Sequence, residues 1–171
     1  MRDASAPFES LFSELFRNHV ERLTRILDRL SGEPDLAADV VQESFVRLYN
    51  RGSLPDAPEA WLISVALNLL RNARSTDRRR AFILAGRGEA LADPAPPADE
   101  RVAAAETYQR VRKAIDQMPE RARQLLLLRA EGYSYRDLAT ALELNERSIG
   151  TLIARAKESF REHYGGEPRA P

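Results

Sequence analysis

Apolar residues first recur regularly between Phe8 and Leu30, at steps of three and four positions. That spacing describes one face of a long helix. The sequence SGEP at residues 31–34 interrupts the pattern, and a second helix is predicted from Asp35, as its N-cap, to about Tyr49. Its apolar stripe leaves a polar outer face that consists of Asp39, Gln42, Glu43 and Arg47.

A third helix is predicted from Glu59 to about Arg80, after a loop at residues 50–58 that is rich in Gly and Pro. Its first half is almost entirely apolar, so it is expected to be buried on most sides. Its second half carries five arginines and a single aspartate. Because helices with apolar faces bury them against one another, residues 8–82 are predicted to form a first helical domain.

Residues 83–101 are predicted to be a flexible linker, because residues 86–101 lack periodicity and contain the Pro-rich sequence DPAPPAD. A second helical domain is predicted over residues 102–164, and residues 165–171 are predicted to be a disordered tail. Its helices are expected at residues 102–117, 119–131, 135–142 and 146–163. The predicted fold class is all-α: two small helical domains joined by a linker.

The last two of these helices have the pattern of a helix-turn-helix. Ser134 and Asp137 have the spacing of a capping box, and Asn145 is a favourable N-cap after the turn at residues 143–145. The helix that follows has one apolar stripe, and its opposite face near the N-terminus is small and polar. Such a face suits the major groove of DNA. The alternative is a helical hairpin inside a bundle with no DNA partner.

Composition narrows the function. The chain has no cysteine, which excludes disulfide and thiolate chemistry, and 26 basic residues balance 26 acidic ones. DNA binding therefore requires a local basic patch. His19 and His163 lack partners at ligand spacing, and no nucleophile–base pair is recognisable, so neither a metal, a cofactor nor an enzyme is predicted. No secretory signal or membrane-spanning run occurs, so a cytoplasmic protein is expected.

Four stretches together resemble the extracytoplasmic-function (ECF) type of sigma-70 family bacterial RNA polymerase sigma factors. They are DLAADVVQESFVRLYNR, PEAWLISVALNLLRNARSTDRRR, IDQMPERARQLLLLRAEGYSYRDLATAL and NERSIGTLIARAK. The resemblance covers about Phe8 to Tyr164. It implies that the first domain is sigma domain 2, which binds core polymerase and recognises and melts the −10 element. The second is then sigma domain 4, which recognises the −35 element.

The resemblance also implies roles for individual residues. Core polymerase would bind Asp39, Gln42, Glu43 and Arg47. The −10 element would contact Asn50, Arg51, Ser53, Asn68, Asn72, Arg74, Arg78, Arg79 and Arg80. The −35 element would contact Ser134, Tyr135, Arg136, Arg147, Ser148, Thr151, Arg155 and Lys157. Many relatives carry Arg where this chain has Leu67, often Asp at Asn72, and frequently Lys at Gly150.

The implied partners are the largest and second-largest subunits of core RNA polymerase, promoter DNA and an anti-sigma factor. No small-molecule substrate and no membrane insertion are expected. Two other functions stay open at this point. A stand-alone helix-turn-helix regulator would bind a palindromic duplex without polymerase, and a helical adaptor would bind only protein.

Overall fold

The protein is described by a computed structural model, which covers residues 5–85 and 102–165. Within these residues the chain forms seven α-helices and no strand. The all-α prediction is therefore confirmed. The helices are α1 (Ser5–Ser31), α2 (Pro34–Arg51), α3 (Pro58–Ala85), α4 (Val102–Gln117), α5 (Glu120–Ala130), α6 (Tyr135–Leu142) and α7 (Glu146–Gly165).

Helices α1, α2 and α3 pack on one another and form the N-terminal domain. Their apolar stripes supply its core, in which Leu27, Leu48 and Ile63 have no exposed surface. The three-helix arrangement expected from the apolar pattern is present. The remaining helices, α4 to α7, form the C-terminal domain, whose core includes Leu128, Leu138 and Ile149.

Both ends of α2 differ from the prediction. The helix begins at Pro34 with Glu33 at the N-cap, so Asp35 lies in the first turn. Proline suits this position because its fixed φ matches the helix and its missing N–H would have had no partner there. At the other end, α2 includes Asn50 and Arg51, which were assigned to the loop. Gly52 ends the helix with a φ of +71°, a conformation that glycine adopts without strain.

Helix α3 continues to Ala85, beyond the predicted end at Arg80, and α7 includes Gly165, which was assigned to the tail. The linker prediction, from residue 86 onward, and the tail prediction, from residue 166 onward, concern residues outside the described parts of the chain. The helix-turn-helix has the predicted local structure. The Ser134 hydroxyl accepts a hydrogen bond from the Asp137 N–H, and the Asp137 carboxylate accepts one from the Ser134 N–H.

The two domains pack directly against each other. Helix α5 contacts α1, and α6 contacts α3. As a result, one hydrophobic core runs from Leu15 in α1 to Ile153 in α7 without a break at the domain boundary. Between α3 and α5, Leu67, Leu70 and Gln124 line a cavity of about 20 Å³, which is room for one water molecule at most. The sequence pattern predicted two units on a linker and did not predict this shared core.

Candidate nucleic-acid interface

Helix α7 presents a polar ridge to solvent. Ile149, Ile153 and Ala156 are buried and fix the orientation of the helix. Arg147, Thr151 and Arg155 recur every four residues on the exposed side, with Ser148 and Lys157 beside them. The Asn145 carboxamide oxygen accepts a hydrogen bond from the Arg147 N–H at 3.0 Å and caps the helix as predicted. The free N-terminal half of such a helix can enter a major groove.

Helix α6 packs against α7 and holds it in place. Leu138, Ala139, Ala141 and Leu142 are buried, and Glu143 ends the helix in the left-handed region with a φ of +54°. Three predicted −35 residues lie at its start. Ser134 is committed to the capping box, Tyr135 lies under the Arg129 guanidinium at 5.3 Å, and Arg136 is exposed. Of these three, Arg136 is the one whose side chain is most available to a phosphate.

Gly150 lies on the partly covered side of α7, near the ring of Tyr135. A methyl group placed there would be 3.7 Å from a ring carbon, which is ordinary contact distance. Packing inside the protein therefore does not require glycine at this position.

The predicted −10 residues on α3 differ in how much of each side chain is exposed to solvent. Asn68 and Asn72 are exposed and one helical turn apart. Arg74 is half-buried, and its guanidinium donates to the Leu30 and Ser31 carbonyl oxygens at the end of α1. The Arg74 side chain thus caps the C-terminus of α1. Arg78, Arg79 and Arg80 belong to α3, but their side chains lie outside the described residues.

The remaining predicted −10 residues lie where α2 ends and the connection to α3 begins, and this part of the chain is open to solvent. Asn50, Arg51 and Ser53 are all exposed. This places amide, guanidinium and hydroxyl groups at the mouth of one short connection, close to the start of α3. Such groups can bind phosphates and the edge of an unstacked base.

The predicted polymerase-binding residues form one exposed strip on α2: Asp39, Gln42, Glu43 and Arg47. Within it, the Arg47 Nε donates to Glu43 Oε1 at 2.7 Å. Sequence reasoning missed the apolar neighbours of this strip. Phe16, Val46 and Tyr49 are 41%, 43% and 51% exposed, and the rings of Phe12 and Tyr49 meet edge to face at 5.3 Å. The signal available in the sequence was Val46, an apolar residue one helical turn after Gln42 on the polar face of α2.

A charged cluster lies where the domains meet, and we call it the interdomain junction. It consists of Arg22, Arg25 and Arg29 on α1, and Glu131 and Tyr133 in the turn between α5 and α6. Burial alone would raise the pKa of Glu131, but hydrogen bonds and charges from Arg25 and Arg29 lower it overall. Burial raises the pKa of Tyr133 to about 12, so its hydroxyl keeps its proton well beyond the range in which an exposed tyrosine ionises.

His19 lies beside the interdomain junction and is only 6% exposed. Its Nε2 is 3.3 Å from Glu59 Oε1, while its Nδ1 has no hydrogen-bond partner among the described residues. Burial lowers the pKa of His19, the Glu59 carboxylate opposes that shift, and the Arg22 guanidinium reinforces it. The net lowering of this pKa favours the neutral imidazole.

No described helix combines the length and apolar character needed to cross a bilayer. The described residues likewise bring no three His, Asp or Glu side chains together in a way that could hold a metal ion. The surfaces with distinctive chemistry are thus the polar faces of α2, α3 and α7. An α-helical bundle followed by an exposed helix-turn-helix is an architecture typical of DNA-binding transcription factors.

Comparison with known families makes this class specific. Residues 15–80 match the family model "Sigma-70 region 2", and residues 108–160 match "Sigma-70, region 4". The chain belongs to the ECF RNA polymerase sigma factors of the sigma-70 family, the class of subunits that direct RNA polymerase to promoters. The resemblance drawn from the four sequence stretches is confirmed, and the stand-alone regulator is not favoured.

Three curated relatives illustrate the similarity. The chain is 30% identical over 162 residues to the ECF RNA polymerase sigma-E factor of Haemophilus influenzae, covering 86% of this chain and 84% of the relative. It is 31% identical over 135 residues to EcfG of Rhodopseudomonas palustris, with 77% and 72% covered. It is 29% identical over 167 residues to SigE of Mycolicibacterium smegmatis, covering 89% of this chain but only 61% of that protein.

Two solved structures share the fold. One is the sigma factor RpoE from Bartonella quintana in complex with the anti-sigma factor NepR, with a TM-score of 0.65, 19% identity, and 92% and 98% of the two chains covered. The other is CnrH in complex with the cytosolic domain of CnrY, with a TM-score of 0.67, 20% identity, and 96% and 94% covered. The overall arrangement of helices is therefore one that sigma factors adopt.

Proposed function

We propose that this chain binds core RNA polymerase in the cytoplasm, directs it to promoters that carry −10 and −35 elements, and aids strand opening, without being an enzyme. The observation that carries the proposal is the exposed ridge of α7 in a chain that matches sigma regions 2 and 4 in that order. Region 4 would read duplex DNA, and region 2 would bind both polymerase and the melted strand.

Support for −35 reading comes from the residue types on α7. Arg147 and Arg155 can each make paired hydrogen bonds to a guanine edge, which are worth about 1–3 kcal/mol of discrimination. Ser148 and Thr151 are short enough to let the helix approach the bases. Arg136 and Lys157 would bind phosphates on either side and set the register.

Support for −10 recognition comes from the surface around the start of α3. Strand opening requires a site that compensates for the cost of unstacking a base, a few kcal/mol. We assign the base contacts to Asn50, Arg51 and Ser53, and the strand contacts to Asn68 and Asn72. We also assign phosphate contacts to Arg78, Arg79 and Arg80. Arg74 would join them only after releasing the α1 carbonyl oxygens that it binds here.

Support for polymerase binding comes from the strip on α2. A charged and amide-bearing face beside exposed Val46 and Tyr49 has the mixed character of a protein interface, with an apolar centre and a polar rim. We assign docking on the largest subunit to Asp39, Gln42, Glu43 and Arg47, with the second-largest subunit also in contact. Because one similar fold, RpoE from Bartonella quintana, was solved with an anti-sigma factor, we also propose an anti-sigma partner for this chain.

Run-off transcription with core polymerase on a library of promoter fragments tests this function. The wild-type chain is expected to give promoter-specific transcripts. Arg147→Ala and Arg155→Ala should each reduce them by about 5- to 150-fold, which corresponds to about 1–3 kcal/mol. The matched control is Arg161→Ala, because Arg161 is exposed on the same helix but lies well past the ridge.

The same assay separates the other functions. A stand-alone regulator would bind a palindromic duplex tightly without polymerase and give no transcripts. An adaptor would be unaffected by the two arginine substitutions. Either result would contradict the proposal.

A further inference from the structure

Glu146 is the first residue of α7, at the end of the helix from which the proposed −35 contacts begin. Its side chain is exposed, and among the described residues no hydrogen bond or ion pair engages it. The position one turn further on, where a basic residue would form an ion pair with it on the same helix, is occupied by Gly150. The carboxylate is therefore not committed to a contact inside the protein.

A carboxylate in the first turn of a helix also has a local role, because the helix dipole stabilises a negative charge there. Capping does not require Glu146, however. Asn145 Oδ1 already accepts a hydrogen bond from the Arg147 N–H at 3.0 Å. A capping box would place the acidic side chain three residues after the cap, and that residue is Ser148. The Glu146 oxygens thus remain available to a donor from outside the protein.

The turn before α7 fixes the position of Glu146. The Leu144 N–H donates to the Ala139 carbonyl oxygen at 2.8 Å. From α5, Arg121 Nη1 donates to the Leu142 carbonyl oxygen at 3.0 Å. Leu144 also packs on the hydrophobic core. The first residue of α7 is therefore held by a hydrogen-bonded turn, and such preorganisation is what precise recognition requires.

A carboxylate at the tip of this helix is unfavourable for binding DNA in general, because it repels the phosphates. Residues 134–157 carry only four basic residues against three acidic ones, so little excess positive charge offsets that repulsion. A base that donates a hydrogen bond to the carboxylate would offset it. In the major groove the N4 amino group of cytosine is such a donor. Adenine also has an amino group there, but its neighbouring N7 lone pair would repel a carboxylate.

We propose that Glu146 is a specificity-determining residue that reads a cytosine in the −35 element, next to the guanine that Arg147 reads. Side chains of adjacent residues on a helix do not face each other, so these two reach neighbouring base pairs instead of neutralising one another. The negative charge also rejects duplexes that offer no amino group at that position. This assignment rests on the proposed promoter function.

Transcription from a promoter library that is randomised across the −35 element tests the assignment. The reaction contains core polymerase and the full-length chain, and a barcode in the transcribed region identifies each template. The parent chain should prefer cytosine at one position by about tenfold. Glu146→Gln should change that preference to adenine, because glutamine makes paired hydrogen bonds to adenine N6 and N7. It should also raise transcription from templates that lack the cytosine.

Two further variants make the result specific. Glu158 is exposed on α7 about three turns beyond Glu146, so Glu158→Gln removes the same charge and should leave every base preference unchanged. Arg147→Ala should lose the guanine preference at the neighbouring position and keep the cytosine preference. The unfolding midpoint of Glu146→Gln should stay within about 4 °C of the parent, which shows that the variant is folded.

The possible outcomes separate this assignment from the promoter function. A promoter-specific parent without a cytosine preference, or an unchanged preference in Glu146→Gln, would overturn the assignment and leave the promoter function intact. A uniform loss of transcription with the same base preferences would restrict Glu146 to the helix dipole and would also overturn it. Absence of promoter-specific transcription with the parent would contradict the promoter function, and the assignment with it.

Discussion

The guanidinium carbon of Arg22 lies 4.2 Å from the centre of the Tyr133 ring, so a cation of the N-terminal domain packs on a buried aromatic ring of the C-terminal domain. His19 stacks on the same ring at 6.0 Å. Gly132 makes this placement possible, because its φ of +88° turns the chain sharply after α5. Tyr133 is 2% exposed and is the main aromatic anchor of the domain interface.

Replacing Tyr133 by alanine should lower the free energy of unfolding by about 3 kcal/mol, because it leaves a cavity and removes the ring from Arg22. Urea unfolding followed by circular dichroism measures this. Tyr108→Ala is the control, since Tyr108 is 54% exposed and should cost well under about 1 kcal/mol. Equal losses for the two variants would show that Tyr133 does not anchor the interface.

Stability should fall as the pH drops from 7.5 to 5.5. Burial lowers the folded-state pKa of His19 below its usual 6.5. Between the lowered pKa and 6.5, the unfolded chain therefore binds more protons than the folded chain. The contribution of neutral His19 is therefore complete above pH 6.5 and decreases below it. The groups that face His19 are Glu59 from α3, Arg22 from α1, Asp137 from α6, and Tyr133.

His19→Gln should remove most of this pH dependence, since glutamine does not titrate. The urea midpoint at pH 7.5 and 5.5 is the measurement. The other histidine of the chain provides the control, and His163→Gln should keep the wild-type dependence. The lowered pKa of Glu131 also makes stability decrease with falling pH, but at lower pH. The ionised carboxylate loses its contribution to stability only as the pH falls through its lowered pKa.

Glu43→Gln should change polymerase binding without changing stability. The Glu43–Arg47 pair is exposed, and such pairs contribute about 0–1 kcal/mol. We expect the unfolding free energy to stay within about 0.5 kcal/mol of wild type and the affinity for core polymerase to fall. Competition binding against a labelled wild-type chain measures the affinity. An unchanged affinity would remove Glu43 from the docking surface.

Ser134→Ala should destabilise the chain by about 1 kcal/mol, because the hydroxyl caps α6 through the Asp137 N–H. Its effect on transcription should disappear when the variant is assayed well below its melting temperature. A persistent loss there would instead indicate a DNA contact from the hydroxyl. Arg136→Ala, at the exposed neighbour, should show the opposite behaviour: normal stability and weaker promoter binding.

Gly150→Ala should stabilise α7 by up to about 1 kcal/mol, because alanine is the better helix former and the added methyl group meets only the Tyr135 ring at contact distance. If DNA approaches the backbone here, the same variant should bind the −35 duplex more weakly. Thermal unfolding and duplex binding measured on one preparation separate these effects. Loss of stability would contradict the packing described for this glycine.

Local signals predicted the helices well. Ser134, Asp137 and Asn145 make the capping hydrogen bonds that their side-chain types predict. The boundaries of α6 follow from these caps. The N-cap of α2 was missed by two residues, because Asp35 was preferred as the cap although Pro34 suits the first turn of a helix. Asn50 and Arg51 were placed in a loop because glycine and proline follow closely, whereas the helix ends only at Gly52.

The contact between domains was beyond sequence reasoning. Glu131 and Arg25 are more than one hundred residues apart, and nothing in their neighbourhoods distinguishes an ion pair from two solvated side chains. Arg74 was assigned to DNA because of the family resemblance, and only the folded chain shows the α1 carbonyl oxygens within its reach. Exposed polar positions on α2 and α7 were predictable because the apolar stripe of each helix fixes its opposite face.

The turn between α5 and α6 combines two duties in four residues, since Glu131 and Tyr133 hold α1 while Ser134 starts the helix that positions α7. A change to the domain contact at Glu131 or Tyr133 therefore lies within four residues of the start of α6, so the packing of α1 and the orientation of α7 depend on one short stretch of chain.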